Sequence, residues 1–246
     1  MNLSKLLIIV VAMTAGSAFA GVKIDYSIDS EKFEGYFSKS KGKSKGLVIL
    51  IHDWDGLTEY EVKRAEMLAD EGYDTFALDL YGKGNRPIEQ DKKKTETGKL
   101  YDNRERMRSL ILGGLAEAAR HSKGSVVVMG YCFGGAATLE LARSGKGDNI
   151  KGFASFHGGL KAPAGQKYSK SAPIFIAHGG ADSGIPMTDV AALSQELEGL
   201  GVTYDIEIYS GAPHAFTVFD SPAYRQKADK KSWGAFLGFL SENLSR

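Results

Sequence analysis

Short apolar runs recur along this chain, and most of them are followed by stretches whose apolar residues return every three or four positions. That alternation of strand-like and helix-like segments is the strongest constraint on the fold. It requires an α/β architecture with a mostly parallel sheet and helices packed on both faces. "KGLVILIHD" is a continuous apolar run, as in a strand covered on both sides. In "LTEYEVKRAEMLADEG", Thr58 and Glu61 have capping-box spacing, Val62, Ala65 and Leu68 share a face, and Gly72 can stop the helix. "YDTFALDLYG", "SVVVMGY", "IKGFASFHGG", "APIFIAHGG" and "VTYDIEIYSG" read as further strands, and "GGAATLELARSG" and "MTDVAALSQELEGLG" as helices. Near the start, "VKIDYSI" and "KFEGYFSK" alternate and predict a hairpin. A polar stretch, "KGNRPIEQDKKKTETGK", precedes a helical pattern running to about His121. The last helix carries Trp233, Phe236, Leu237, Leu240 and Leu244 at core-packing spacing.

In such a sheet, ligands sit beyond the carboxyl ends of the strands. The polar residues of interest gather there: His52 and Asp53 after "LVILI", Asp79 after "TFAL", Cys132 after "VVVMGY", His157 after "FASF", His178 and Asp182 after "IFIA", and His214 after "IEIYSGAP". Cys132 is the only cysteine, in Gly130-Tyr131-Cys132-Phe133-Gly134. The spacing matches the nucleophile elbow G-x-S-x-G with sulfur in place of oxygen. There the residues two before and two after must be small, because strand and helix nearly touch. A helix starting at once points its N–H groups at the sulfur, and the N–H of Phe133 is one candidate oxyanion donor. The same glycines also suit a plain turn around an inert buried thiol.

The order nucleophile, acid, histidine is the one found on sheets of this kind. Asp182 in "HGGADSGIP" and His214 in "SGAPHAF" complete it, His214 as the base and Asp182 as the group that orients it. His178 is a rival base, more simply read as a residue holding its loop, and His157 takes the same reading. His52, His157 and His178 all end strands, but no metal-ligand spacing supports a metal site, and no metal or organic cofactor is expected.

The first twenty residues, "MNLSKLLIIVVAMTAGSAFA", stand apart from the domain. A single lysine precedes an apolar run too short to span a bilayer, and Ala18-Phe19-Ala20 forms a cleavage site. Residues 1–20 are expected to be a secretory signal peptide cut after Ala20, residues 21–246 a single domain, and the location periplasmic or secreted. An uncleaved anchor is the alternative. Removing the leader takes away one lysine and no acidic residue, so the 31 basic and 30 acidic side chains become equal in number. A neutral chain offers no bulk attraction to nucleic acid. The run "SKSKGKSKG" reads as a solvated turn. A monomer acting on a small molecule, free of the membrane once cleaved, is expected. A lone thiol outside the cytoplasm is exposed to oxidation, so it calls for deep burial or for a task.

Five segments in order resemble the dienelactone hydrolase family of the α/β-hydrolase superfamily: "ILIHDWDGL", "ALDLYGKG", "GYCFGG", "HGGADSGIP" and "PHAFTV". The resemblance spans nearly the whole chain after the leader and implies the α/β-hydrolase fold. It also implies Cys132 as nucleophile, Asp182 as acid and His214 as base, with the N–H groups of Phe133 and Trp54 as oxyanion donors. The family's thiol-modulating glutamate falls at Asp53, one methylene shorter. Of its two carboxylate-binding arginines, one position is Lys83 and the other Val218, so recognition of a carboxylate is expected to be weaker or different. The leading expectation is a cysteine hydrolase of small esters or lactones working through an acyl-thioester. Trp54, Tyr81 and the polar insert after Gly84 would line or cover its pocket, though the insert reads equally as a surface excursion. A non-catalytic binding protein on the same fold, or a thioesterase or peptidase with the same triad, is the alternative.

Overall fold

The computed structural model describes residues 21–166, 168 and 172–244. The expected leader lies outside the described residues. The hairpin forms as its alternation predicts: β1 (Val22–Ile28) and β2 (Glu31–Ser38) pair antiparallel with Val22 opposite Phe37. The continuous apolar runs become β3 (Leu47–Ile51), β4 (Asp74–Leu78), β5 (Val126–Tyr131), β6 (Ile150–Phe156) and β7 (Ile174–Gly179), with β8 (Tyr204–Tyr209) beyond them. All eight strands make one sheet in the order β1-β2-β4-β3-β5-β6-β7-β8, parallel from β4 to β8.

The central strands are apolar throughout because helices cover both faces. Leu47, Ile49 and Ile51 point to one face, with Met107, Leu139 and Leu193; Val48 and Leu50 point to the other, with Leu68, Phe236 and Leu240. The helices are α1 (Glu59–Asp70), α2 (Gln90–Asp102), α3 (Arg104–His121), α4 (Phe133–Ser144), α5 (Met187–Leu200) and α6 (Gln226–Leu244). The capping box opens α1, with Thr58 and Glu61 each satisfying the other's backbone. On α6, Phe236, Leu240 and Leu244 are buried while Trp233 and Leu237 pack at the margin.

The polar insert differs from a simple excursion, since from Gln90 onward it is α2. Leu100 is the only buried residue of that helix, so no apolar stripe marked it in the sequence. Its lysines and glutamates are good helix formers, and pairs such as Glu96–Lys99 at 2.8 Å support it. Winding reverses at β3, which leads to β4 on one side while β5 lies on the other. The loops after β3 and β5 therefore splay over a crevice, and it holds Asp53, Trp54 and Cys132.

Candidate active site

Cys132 occupies the turn between β5 and α4 with φ 51° and ψ −112°, a backbone conformation that side chains rarely adopt. The glycines on either side are required by contact. A Cβ on Gly130 would lie 2.2 Å from the carbonyl carbon of Gly134, and one on Gly134 would lie 2.2 Å from the Ile51 carbonyl oxygen. The N–H of Cys132 donates to the Phe156 carbonyl at 2.9 Å, which fixes the turn against β6. Phe133 begins α4, so its N–H is among the first four of the helix, which have no partner within it.

Two residues from distant parts of the chain, His214 and Asp182, converge on this turn. His214 Nε2 is 3.1 Å from Cys132 Sγ, and its Nδ1 is 2.7 Å from Asp182 Oδ2. Asp182 is held in turn by the N–H groups of Gly184 at 2.9 Å and Ile185 at 3.0 Å, both to Oδ1. Burial opposes the charge on Asp182, but the His214 hydrogen bond and charge and those N–H groups hold its carboxyl below the usual range. Burial likewise opposes charge on His214, yet the Asp182 hydrogen bond and then the thiol raise its imidazole to about 10. His178 lies buried at the end of β7 and makes no hydrogen bond to the sulfur.

The other expected residues are placed unevenly. Asp53 is buried in the crevice, and burial first, then Asp55, Glu61 and Cys132, push its carboxyl well above the usual range. The Tyr81 hydroxyl donates to the Trp54 carbonyl at 3.2 Å, and its ring stands 5.9 Å from that of Phe133. Lys83 corrects an expectation. Its ammonium is 2.5 Å from Asp25 of β1 and its N–H donates to the Lys32 carbonyl, so it faces the hairpin and not the thiol. Val218, at the other arginine position of the family, carries no charge to replace it.

The sequence reading missed several neighbours. Lys93 on α2 sits 5.2 Å from the centre of the Trp54 ring and 3.2 Å from Asp55. Tyr101 packs edge-on against Phe133, and burial, then the Cys132 charge, raise its phenol to about 12. Arg104 and Arg143 line a cavity of about 300 Å³ with Tyr101, Ala136, Leu160 and Ile185. Ala136 is one helical turn past Cys132. A larger cleft of about 440 Å³ lies between Tyr36, Leu57, Val62 and Arg86, and no member of the Cys132–His214–Asp182 group lines it. Lys93, Tyr101, Arg104 and Arg143 belong to no motif; only the fold brings them together.

A buried hub backs the histidine loop. Arg64 of α1 is 1% exposed, donates to the Thr217 carbonyl at 2.7 Å and pairs with Asp229 of α6. Its guanidinium faces the rings of Tyr60, Tyr131, Phe219 and Trp233 at 4.2 to 5.6 Å. Thr217 Oγ1 contacts Tyr60 at 2.7 Å and His157 Nε2 at 2.8 Å. Burial, then the His214 charge, push the His157 imidazole far down, so it stays neutral with its ring 5.2 Å from that of His214. Tyr131 precedes Cys132 and Thr217 follows His214, so one cation touches both walls of the crevice.

Among the described residues, Asp53, Asp55 and Glu61 bring oxygens within 4.8 Å of one another, close enough for a metal ion. Those oxygens already serve the chain. Glu61 accepts from Thr58 and from the Asp53 N–H, Asp53 accepts from the Asp55 N–H, and Asp55 pairs with Lys93. His52 is likewise used on both ring nitrogens, by the Asp53 carbonyl at 2.6 Å and the Leu80 N–H at 3.1 Å.

Comparison with known proteins agrees with this architecture. The sequence pattern of the dienelactone hydrolase family matches residues 33–244. Carboxymethylenebutenolidase of Pseudomonas putida is 26% identical over 240 residues, covering 92% of this chain and 98% of that one. The crystal structure of a dienelactone hydrolase-like promiscuous phosphotriesterase from metagenomic libraries superposes with a TM-score of 0.79 at 26% identity, over 91% of this chain and 98% of that one. Acylaminoacyl peptidase of Pyrococcus horikoshii shares the fold alone, with a TM-score of 0.70 at 16% identity over 92% of this chain and 42% of that one. The fold is the α/β-hydrolase fold.

Proposed function

The chain belongs to the dienelactone hydrolase family, and we propose that it hydrolyses small carboxylic esters or lactones with Cys132 as nucleophile, His214 as base and Asp182 as the orienting acid. The observation that carries this reading is the pair of contacts at His214, 3.1 Å to the sulfur and 2.7 Å to the carboxylate. The sulfur passes its proton to His214 Nε2 and attacks the carbonyl carbon. The carbonyl oxygen takes the negative charge, facing the N–H groups of Phe133 and Trp54. Collapse breaks the carbon–oxygen bond, and His214 returns the proton to the leaving alkoxide. For a lactone that alcohol stays tethered to the acyl group. Water, deprotonated by Nε2, then attacks the thioester, and sulfur leaves.

Asp53 stands where the family has a glutamate. Burial, then Asp55, Glu61 and Cys132, push its carboxyl well above the usual range and favour its uncharged form. The expected leader would put this chemistry in the periplasm or outside the cell. The test uses p-nitrophenyl acetate and simple lactones with the purified protein. Cys132→Ala is expected to abolish turnover and the acyl-enzyme adduct seen by mass spectrometry while leaving the melting curve intact. Undiminished turnover in that variant would refute the assignment.

A further inference from the structure

Gly21 stands at the head of β1, at the outer edge of the sheet. The register pairing Val22 with Phe37 brings its nitrogen over β2 and α1. There it lies 2.9 Å from the Tyr36 hydroxyl and 3.0 Å from Glu66 Oε1. The Tyr36 hydroxyl also donates to that same carboxylate oxygen. The fit excludes a side chain: a Cβ on Gly21 would lie 2.5 Å from Tyr36 Cζ and 2.6 Å from the Phe37 carbonyl oxygen.

The chemistry of this corner suits an ammonium better than an amide. A peptide nitrogen has one hydrogen to divide between the two acceptors. An α-ammonium has three, with a full positive charge, and serves both. Such a charge would pair with Glu66. Among the described residues no lysine or arginine forms an ion pair with it, and Lys41, close by, pairs instead with Asp70 at 2.7 Å. The residue whose nitrogen arrives here is also the one that follows the Ala18-Phe19-Ala20 site.

We propose that the Glu66–Tyr36 corner is a binding site for the chain's own new amino terminus. A signal peptidase adds water across the Ala20–Gly21 peptide bond, leaving a carboxylate on Ala20 and an amine on Gly21 that is protonated at neutral pH. That ammonium docks on Glu66 and Tyr36 and ties the edge strand β1 to α1. Processing thus creates a contact that the precursor makes only as a shared amide hydrogen bond. The proposal rests on the leader and not on the chemistry at Cys132.

The test uses the full chain, exported by a bacterial host and purified from the periplasm or medium. N-terminal sequencing and intact mass are expected to show Gly21 as the first residue. A pulse of acetic anhydride at pH 7, read by peptide mass spectrometry against exposed lysines of the same molecule, then measures the free amine at Gly21. Pairing that raises the ammonium by one pKa unit leaves about one-tenth as much reactive amine. Acetylation of Gly21 is therefore expected to be roughly tenfold faster in Glu66→Gln than in the parent, with a smaller rise in Tyr36→Phe, which keeps the carboxylate and the ring. Ester turnover is expected to be equal in all three, which separates this result from any failure of the hydrolase reading. A mature chain that begins elsewhere, or equal acetylation of Gly21 in the parent and Tyr36→Phe and, where it folds, Glu66→Gln, would overturn the proposal.

Discussion

Asp182→Asn tests the geometry of the crevice most directly. Oδ1 of Asp182 is fixed by two N–H donors, from Gly184 and Ile185, so the amide oxygen of an asparagine would take that place. Its NH2 group would then point at His214 Nδ1, where the carboxylate now sits at 2.7 Å. Nδ1 would have to accept a hydrogen bond, so the ring proton would move to Nε2, facing the sulfur. Nε2 could no longer take a proton from the thiol. A hydrogen bond to a charged group contributes about 1.5–3 kcal/mol, which alone is roughly a 10- to 150-fold loss. The wrong tautomer adds to this, toward the roughly ten-thousandfold seen for the equivalent change in a serine triad. We therefore expect kcat on p-nitrophenyl acetate to fall about a thousandfold, with KM little changed and the fold intact by circular dichroism. A loss of less than about tenfold in a folded variant would mean that Asp182 does not set the state of His214.

Three further outcomes follow from other parts of the molecule. Gly134→Ala puts a methyl group 2.2 Å from the Ile51 carbonyl oxygen, so urea denaturation should show a loss at the top of the overpacking range, about 3 kcal/mol or more; an unchanged midpoint would contradict the close approach of strand and helix. Arg64→Met strands the Asp229 carboxylate, which is 7% exposed. It should cost about 3–5 kcal/mol, or roughly 10 °C in melting temperature, and Arg64→Met with Asp229→Leu should recover most of this; a single variant that melts like the parent would remove the hub from the account. His214, raised to about 10 in the fold from an ordinary value near 6.5, stabilises the protein fully below about pH 6.5. That contribution is lost as pH climbs toward 10. The ring is 37% exposed, so solvent screening reduces the effect. Melting temperatures measured from pH 6 to pH 10 should fall more steeply for the parent than for His214→Gln, and parallel curves would refute the shift.

The parts of this fold that were legible in sequence are those written in local pattern. The elbow is five adjacent residues whose spacing is set by contact between strand and helix, and the order of Cys132, Asp182 and His214 follows from where strands end. Residues joined only by the folded chain were not legible. Arg64 and Asp229 are 165 positions apart, and neither looks unusual beside its neighbours. Helix α2 escaped because it is held by charged pairs and propensity and not by an apolar stripe, so Lys93 and Tyr101 gave no hint that they stand over the crevice. Lys83 was misplaced for the opposite reason. Its position in a motif is local, but its direction is decided by Asp25, 58 positions earlier on the hairpin.

The solitary sulfur has a practical consequence. Cys132 is the chain's one cysteine and is only partly covered. A maleimide carrying a fluorophore, a nitroxide or a fluorine nucleus would therefore attach at a single known atom of the unaltered protein. Its signal would report the polarity and crowding at the mouth of the crevice, and occupancy by any candidate small molecule could be followed as competition for that one attachment point.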